Sequence, residues 1–153
     1  MPEPSAVIES AQHLYNKKDA KALELLIGLR TKAIALDPAL SDELNLEPSY
    51  ADQTMGSLDD LTLLGRKILN RWNKELNEVV CGGKGGAKDR QAILQSLNLG
   101  EAAVVGAVAS LLLSLGLGAT IAAAVAALVV KRFIWPAKDE LCVAWKEKIQ
   151  SQK

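Results

Sequence analysis

The stretch that decides the fold is Ala102–Val130, AAVVGAVASLLLSLGLGATIAAAVAALVV, 29 consecutive residues without a formal charge. Its only polar side chains are Ser110, Ser114 and Thr120. An apolar run of more than about 18 residues reads as a membrane-span candidate. As one helix it would be about 43 Å long, well beyond a hydrocarbon core of about 30 Å. Gly116-Leu117-Gly118 predicts a break instead, giving a helical hairpin with arms 101–115 and 119–135. Each arm is then about 20–25 Å long, short for a span and typical of a buried core helix.

The charges beside the run fit a hairpin. Lys84, Lys88 and Arg90 precede it, and Lys131, Arg132 and Lys138 come after it. Positive flanks stay on the cytoplasmic side, so both ends of the hairpin are expected there. Trp135 stands where an interfacial aromatic belongs, and with Lys131 and Arg132 it forms the expected set of interfacial anchors. MPEPSAVIES has neither the basic start nor the apolar block of a signal peptide. The expected location is therefore the cytoplasm or the cytoplasmic face of a membrane.

Inside the run, small residues recur at spacing four: Ala102, Gly106, Ser110, Ser114, Gly118, Ala122 and Ala126. Small residues at that spacing let two helix backbones approach closely, as membrane helices do. The pattern predicts that Gly106, Ser110, Ser114, Gly118 and Ala122 line a helix-packing or membrane contact, within the hairpin or between copies. Its competitor is coincidence, since ten of the 29 residues are alanine. A nearly uncharged Ala/Gly/Val/Leu hairpin in a helical chain resembles the hydrophobic hairpin of pore-forming colicin domains. The resemblance covers residues 101–135 and is one of composition. It implies a hairpin that hides inside amphipathic helices and then exchanges that shelter for lipid.

Outside the run, apolar residues recur at helical spacing over 5–16, 19–36, 57–80, 89–99 and 137–150. Asp19 and Ser57 are N-cap candidates, and Asp37-Pro38 ends the second helix because the residue before proline avoids helical angles. Leu61, Leu64, Ile68, Trp72, Leu76 and Val79 trace one face of the third. Residues 39–56 read as a short helical turn and a loop containing Pro48 and Gly56. KAIALDP resembles the closing turn of a tetratricopeptide repeat, but no second copy occurs at the period of about 34 residues. No strand pattern occurs. The expectation is an all-α bundle of about five to seven helices, with the hydrophobic hairpin near its C-terminal end. Its parts are an amphipathic head (1–80), a Gly-rich linker (81–88) and a helical region (89–153).

Composition narrows the function. Eighteen basic and eighteen acidic residues cancel overall, while residues 1–101 carry a net −3 and residues 131–153 a net +3. A nucleic-acid binder relying on a general positive footprint is excluded. Cys81 and Cys142 are too few for a disulfide scaffold or a four-ligand metal site, and His13 is the single histidine. GGKGG lacks the spacing of a phosphate-binding loop and comes after a helix rather than a strand. Asp59 and Asp60 suit the positive end of a helix dipole better than catalysis. Nothing near Cys81 in the sequence stabilises a thiolate. We therefore expect no enzyme, no cofactor and no metal, and a partner that is membrane lipid or protein, with homo-oligomers allowed. Two functions fit. One is a hairpin that inserts into or anchors at a membrane, with oligomers or pores among the forms it could take there. The other is a protein–protein interaction module with the hairpin as its core.

Overall fold

Helix boundaries fall where proline, glycine and capping side chains interrupt the apolar periodicity. The computed structural model describes residues 3–48, 57–82 and 87–151. Pro4 opens α1 (Pro4–Lys17), where its missing N–H costs nothing. Asp19 caps α2 (Ala20–Leu36), its carboxylate accepting the Ala22 N–H at 2.8 Å. Asp37-Pro38 ends α2 and starts a 3₁₀ turn, Pro38–Asp42. Ser57 caps α3 (Leu58–Cys81), its Oγ accepting the Asp60 N–H at 3.1 Å. Then come α4 (Ala87–Ser96), α5 (Glu101–Ser114) and α6 (Ala119–Val129). The last of these runs on through a π-helical turn (Val130–Ile134) and a 3₁₀ turn (Lys138–Glu140) into α7 (Leu141–Ser151). Among the described residues all regular structure is helical, so the chain is an all-α bundle.

The hairpin forms with the arms expected. The connection turns at Gly116, whose φ of +98° is strained for any residue with a Cβ. Its second arm is the axis of the bundle: every residue from Ala119 to Val130 is buried. α1, α2, α3 and α5 pack around it. A helix without a solvent face has no use for an amphipathic pattern, which accounts for α6 being apolar all round. Val7 and Ala11 of α1, Leu23 and Ile27 of α2, Leu69 and Leu76 of α3 and Trp145 of α7 join the hairpin in one apolar cluster. The expected head and the hairpin region thus share a core. Residues 83–86 of the expected linker, and Gly56 of the expected loop, lie outside the described residues.

Two expectations need correction. The buried residues of α3 are Leu61, Gly65, Leu69, Asn73, Leu76, Val79 and Val80, so Leu61, Leu76 and Val79 lie as expected, whereas Leu64, Ile68 and Trp72 are half-buried flanks. Gly65 belongs to the buried set because a bare backbone at that point lets α2 sit directly on α3. Cys81 is also not a free thiol. It ends α3 in a disulfide with Cys142 in the first turn of α7, 61 residues on, with Cα atoms 5.5 Å apart.

Candidate functional site

The feature that composition singles out is the hairpin, so the site is the hairpin and whatever holds it. Its two arms differ in environment. α6 is enclosed, but α5 shows one face outward: Ala102, Ser110 and Ser114 are exposed, and Ala103, Ala107 and Leu113 half-exposed. The tip continues that face with Gly116 and Gly118 exposed and Leu115 and Leu117 half-exposed. From Ala102 to Gly118 the outward surface carries no charge.

The spacing-four series does not form one seam within the chain. Gly106 alone among its α5 members is buried, packed against α1, where an added Cβ would lie 3.0 Å from Cγ2 of Ile8. Ser110 and Ser114 face outward, the latter donating to its own helix at the Leu111 carbonyl, 2.8 Å. Gly118 sits exposed at the start of α6, and Ala122 is fully buried inside the bundle. A close backbone approach lies between α2 and α3, at Gly28 and Gly65.

The expected interfacial anchors have partners within the chain. Arg132 Nη1 donates to Glu24 Oε2 at 2.8 Å, and Arg66 Nη2 donates to Glu24 Oε1 at 3.1 Å. The Glu24 side chain is only 3% exposed. Burial alone would raise its pKa, but hydrogen bonds from Arg132 and Arg66, together with their charge, outweigh that and hold the carboxyl below its usual range. Lys131 Nζ donates to the Tyr15 carbonyl at 2.7 Å and lies 4.6 Å from the centroid of the Tyr15 ring. The Tyr15 hydroxyl in turn donates to the Glu101 carboxylate. Burial, then that hydrogen bond and the carboxylate charge, push the phenol upward. Trp135 is half-buried beneath Lys138, whose Nζ lies 4.2 Å from the ring centroid.

A second clamp closes the other end of α6. Arg30 is 1% exposed, and its guanidinium donates to three backbone carbonyls: Leu46 (2.8 Å), Thr120 (2.8 Å) and Leu44 (3.1 Å). The Thr120 hydroxyl is placed to donate to the carbonyls of Glu43 (2.9 Å) and Leu40 (3.2 Å). Residues 38–46 are thereby strapped across the start of α6. Burial lowers the Arg30 pKa to about 10 against the opposing pull of Glu47, so the group stays charged at neutral pH.

Sequence reasoning missed Glu24, Arg30, Gly28, Gly65 and the Cys81–Cys142 pair. The available signal was local disagreement: a charge or a glycine inside a helix otherwise read as apolar.

Among the described residues no group of three or more His, Cys, Asp and Glu side chains could hold a metal. His13 is exposed on the rim of a polar cavity of about 500 Å³ that also touches Glu9, Arg30 and Glu47. A larger groove of about 620 Å³ runs between α3 and α7 beside the disulfide. No single described helix is long and apolar enough to cross a membrane. Residues Ala119–Ile134 and Lys138–Gln150 pass that test only as a pair bent by 78°. No family model, curated protein or solved structure matches this chain.

Proposed function

We propose that the protein is a non-enzymatic helical module that engages a lipid surface through its apolar hairpin, which this conformation shelters beneath amphipathic helices. One observation carries the reading. Burial in the bundle accounts for the composition of α6, but not for α5, whose outward face and tip meet solvent without a charge from Ala102 to Gly118. A helix face in water ordinarily carries polar and charged residues. The exposed small residues Ser110, Ser114 and Gly118 also suit contact between copies once the hairpin is in lipid. This reading puts the chain in the cytoplasm or on the cytoplasmic face of a membrane.

The alternative, a protein–protein interaction module with the hairpin as core, is favoured by the complete burial of α6 and by Lys131 and Arg132 being engaged inside the chain. Vesicle flotation and dye leakage separate the two. With neutral and anionic vesicles, at neutral and acidic pH, the full chain should bind or permeabilise at least one type. The variant Ala107→Asp/Ser110→Asp, altered on the outward face of α5, should keep its helical spectrum and lose that interaction. A folded wild type that neither binds nor permeabilises any vesicle overturns the membrane reading.

A further inference from the structure

We infer that the Cys81–Cys142 bridge is a reducible latch on α7, and that a dithiol which opens it undocks α7 and frees the C-terminal arm of the hairpin. The latch itself is independent of the membrane reading; only the gain in lipid binding after undocking rests on it.

The bridge is placed for reaction. Both cysteines are half-buried, and both line the groove of about 620 Å³ between α3 and α7, so a small thiol reaches them without unfolding the core. In a compartment where thiols are kept reduced, such a bond is transient or regulatory rather than a permanent staple.

Besides the bridge, α7 is held by its apolar face: Leu141 and Trp145 lie in the core cluster, with Ala144 and Ile149 packed against it. It packs on α3 and on the turns that come after α6. Its deepest contact is Trp145, fully buried, whose Nε1 donates to Asn73 Oδ1 at 2.6 Å. Lys148 Nζ adds a hydrogen bond of 3.4 Å to the Arg132 carbonyl. Its 11 described residues fall below the length of about 12–15 at which an isolated helix is even marginal in water. Undocked, it unwinds. It is also continuous with α6 through the π turn and Trp135-Pro136, so its release loosens the hairpin where Arg132 is anchored.

The chemistry balances with a dithiol as reductant. One thiolate attacks a sulfur of the bridge, forming a mixed disulfide, and the other cysteine leaves as a thiolate that takes up a proton. The second thiol of the donor then closes its own disulfide and releases the remaining cysteine. Two electrons and two protons pass to the protein.

The test uses the full chain, oxidised or reduced with dithiothreitol, and the Cys81→Ser/Cys142→Ser variant, with free thiols counted by alkylation and mass spectrometry. Hydrogen exchange is read segment by segment, and vesicle flotation in parallel. Reduction should speed exchange over residues 141–150 by tenfold or more while α1 and α2 stay protected, and the double variant should match the reduced state. Vesicle binding should rise severalfold with it. Unchanged exchange in α7, equal loss of protection in every helix, or two free thiols in the air-oxidised protein each overturns the latch. Selective exposure of α7 with no vesicle binding in either redox state upholds the latch and overturns the membrane reading instead.

Discussion

Gly28 on α2 and Gly65 on α3 meet face to face where the two helices cross. A Cβ on Gly28 would run into the Leu61 carbonyl, and one on Gly65 into the Glu24 carbonyl, both backbone groups that cannot swing away. Gly28→Ala and Gly65→Ala should each lower stability in urea unfolding by roughly 2–3 kcal/mol, the upper part of the overpacking range. Gly106→Ala, which meets the movable side chains of Ile8 (Cγ2, 3.0 Å) and Gln12 (Nε2, 3.4 Å) rather than backbone, should cost less than about 1 kcal/mol on the same scale. Equal losses at all three positions would refute the close crossing.

Glu24 is the group through which acid should reach the fold. Its folded pKa lies below the unfolded value, so its contribution is present above the unfolded pKa, near 4.5, and is lost as pH falls through the folded one. Glu24→Gln leaves Arg132 and Arg66 without their shared carboxylate. At neutral pH it should cost roughly 2–3 kcal/mol, below the full range for a buried pair because Arg66 is half exposed to water. The gap between wild type and variant should be constant from pH 7 to pH 5 and shrink below pH 4.5. A gap that widens on acidification would contradict the clamp.

Thr120→Val keeps the volume of a buried side chain and removes the hydroxyl that serves the Leu40 and Glu43 carbonyls. The expected cost is about 0.5–1.5 kcal/mol, the net worth of a hydrogen bond, because these part-buried carbonyls keep their backbone donors. Hydrogen exchange should show faster opening at Glu43 and Leu46, whose amides donate to the Leu40 and Glu43 carbonyls. Slower or unchanged exchange there would mean that the strap is held by Arg30 alone.

Leucine substitutions along α5 should sort by exposure rather than by the spacing-four series. Gly106→Leu and Ala109→Leu enter buried positions and should each cost roughly 1–3 kcal/mol in thermal or urea unfolding. Ala107→Leu and Ser110→Leu face outward and should stay within about 0.5 kcal/mol of wild type. If Ser110→Leu proved as harmful as Gly106→Leu, a second copy would be packing on that face.

What was legible in the sequence was local. The hairpin, its break at Gly116, the caps at Asp19 and Ser57 and the stop at Asp37-Pro38 are each written within a few residues, and each appears as read. What was not legible depends on distant partners. Glu24 looks like a solvent charge until Arg66 and Arg132, 42 and 108 residues away, arrive beside it. Lys131 and Arg132 read as headgroup anchors because nothing nearby in the chain announces Tyr15 or Glu24. The series through Gly106, Ser110 and Ser114 specifies where a backbone is bare. Which face of α5 meets α1 is decided instead by the crossing of two helices about 90 residues apart, as in the Gln12–Ala102 hydrogen bond. The cysteines are brought together only because α7 folds back along α3.

The enclosure of α6 has a consequence for synthesis. Its partners α1 and α2 leave the ribosome long before it does, and the bonds that join them span the chain: Arg30 to Thr120 across 90 residues, Lys131 to Tyr15 across 116. Until α6 emerges, α1 and α2 lack the helix that both pack against. Chains with such non-local pairing fold late and expose apolar surface meanwhile. The nascent chain should therefore be a client for holding chaperones over most of its translation, and a truncation ending before Ala119 should aggregate although it lacks the most hydrophobic helix.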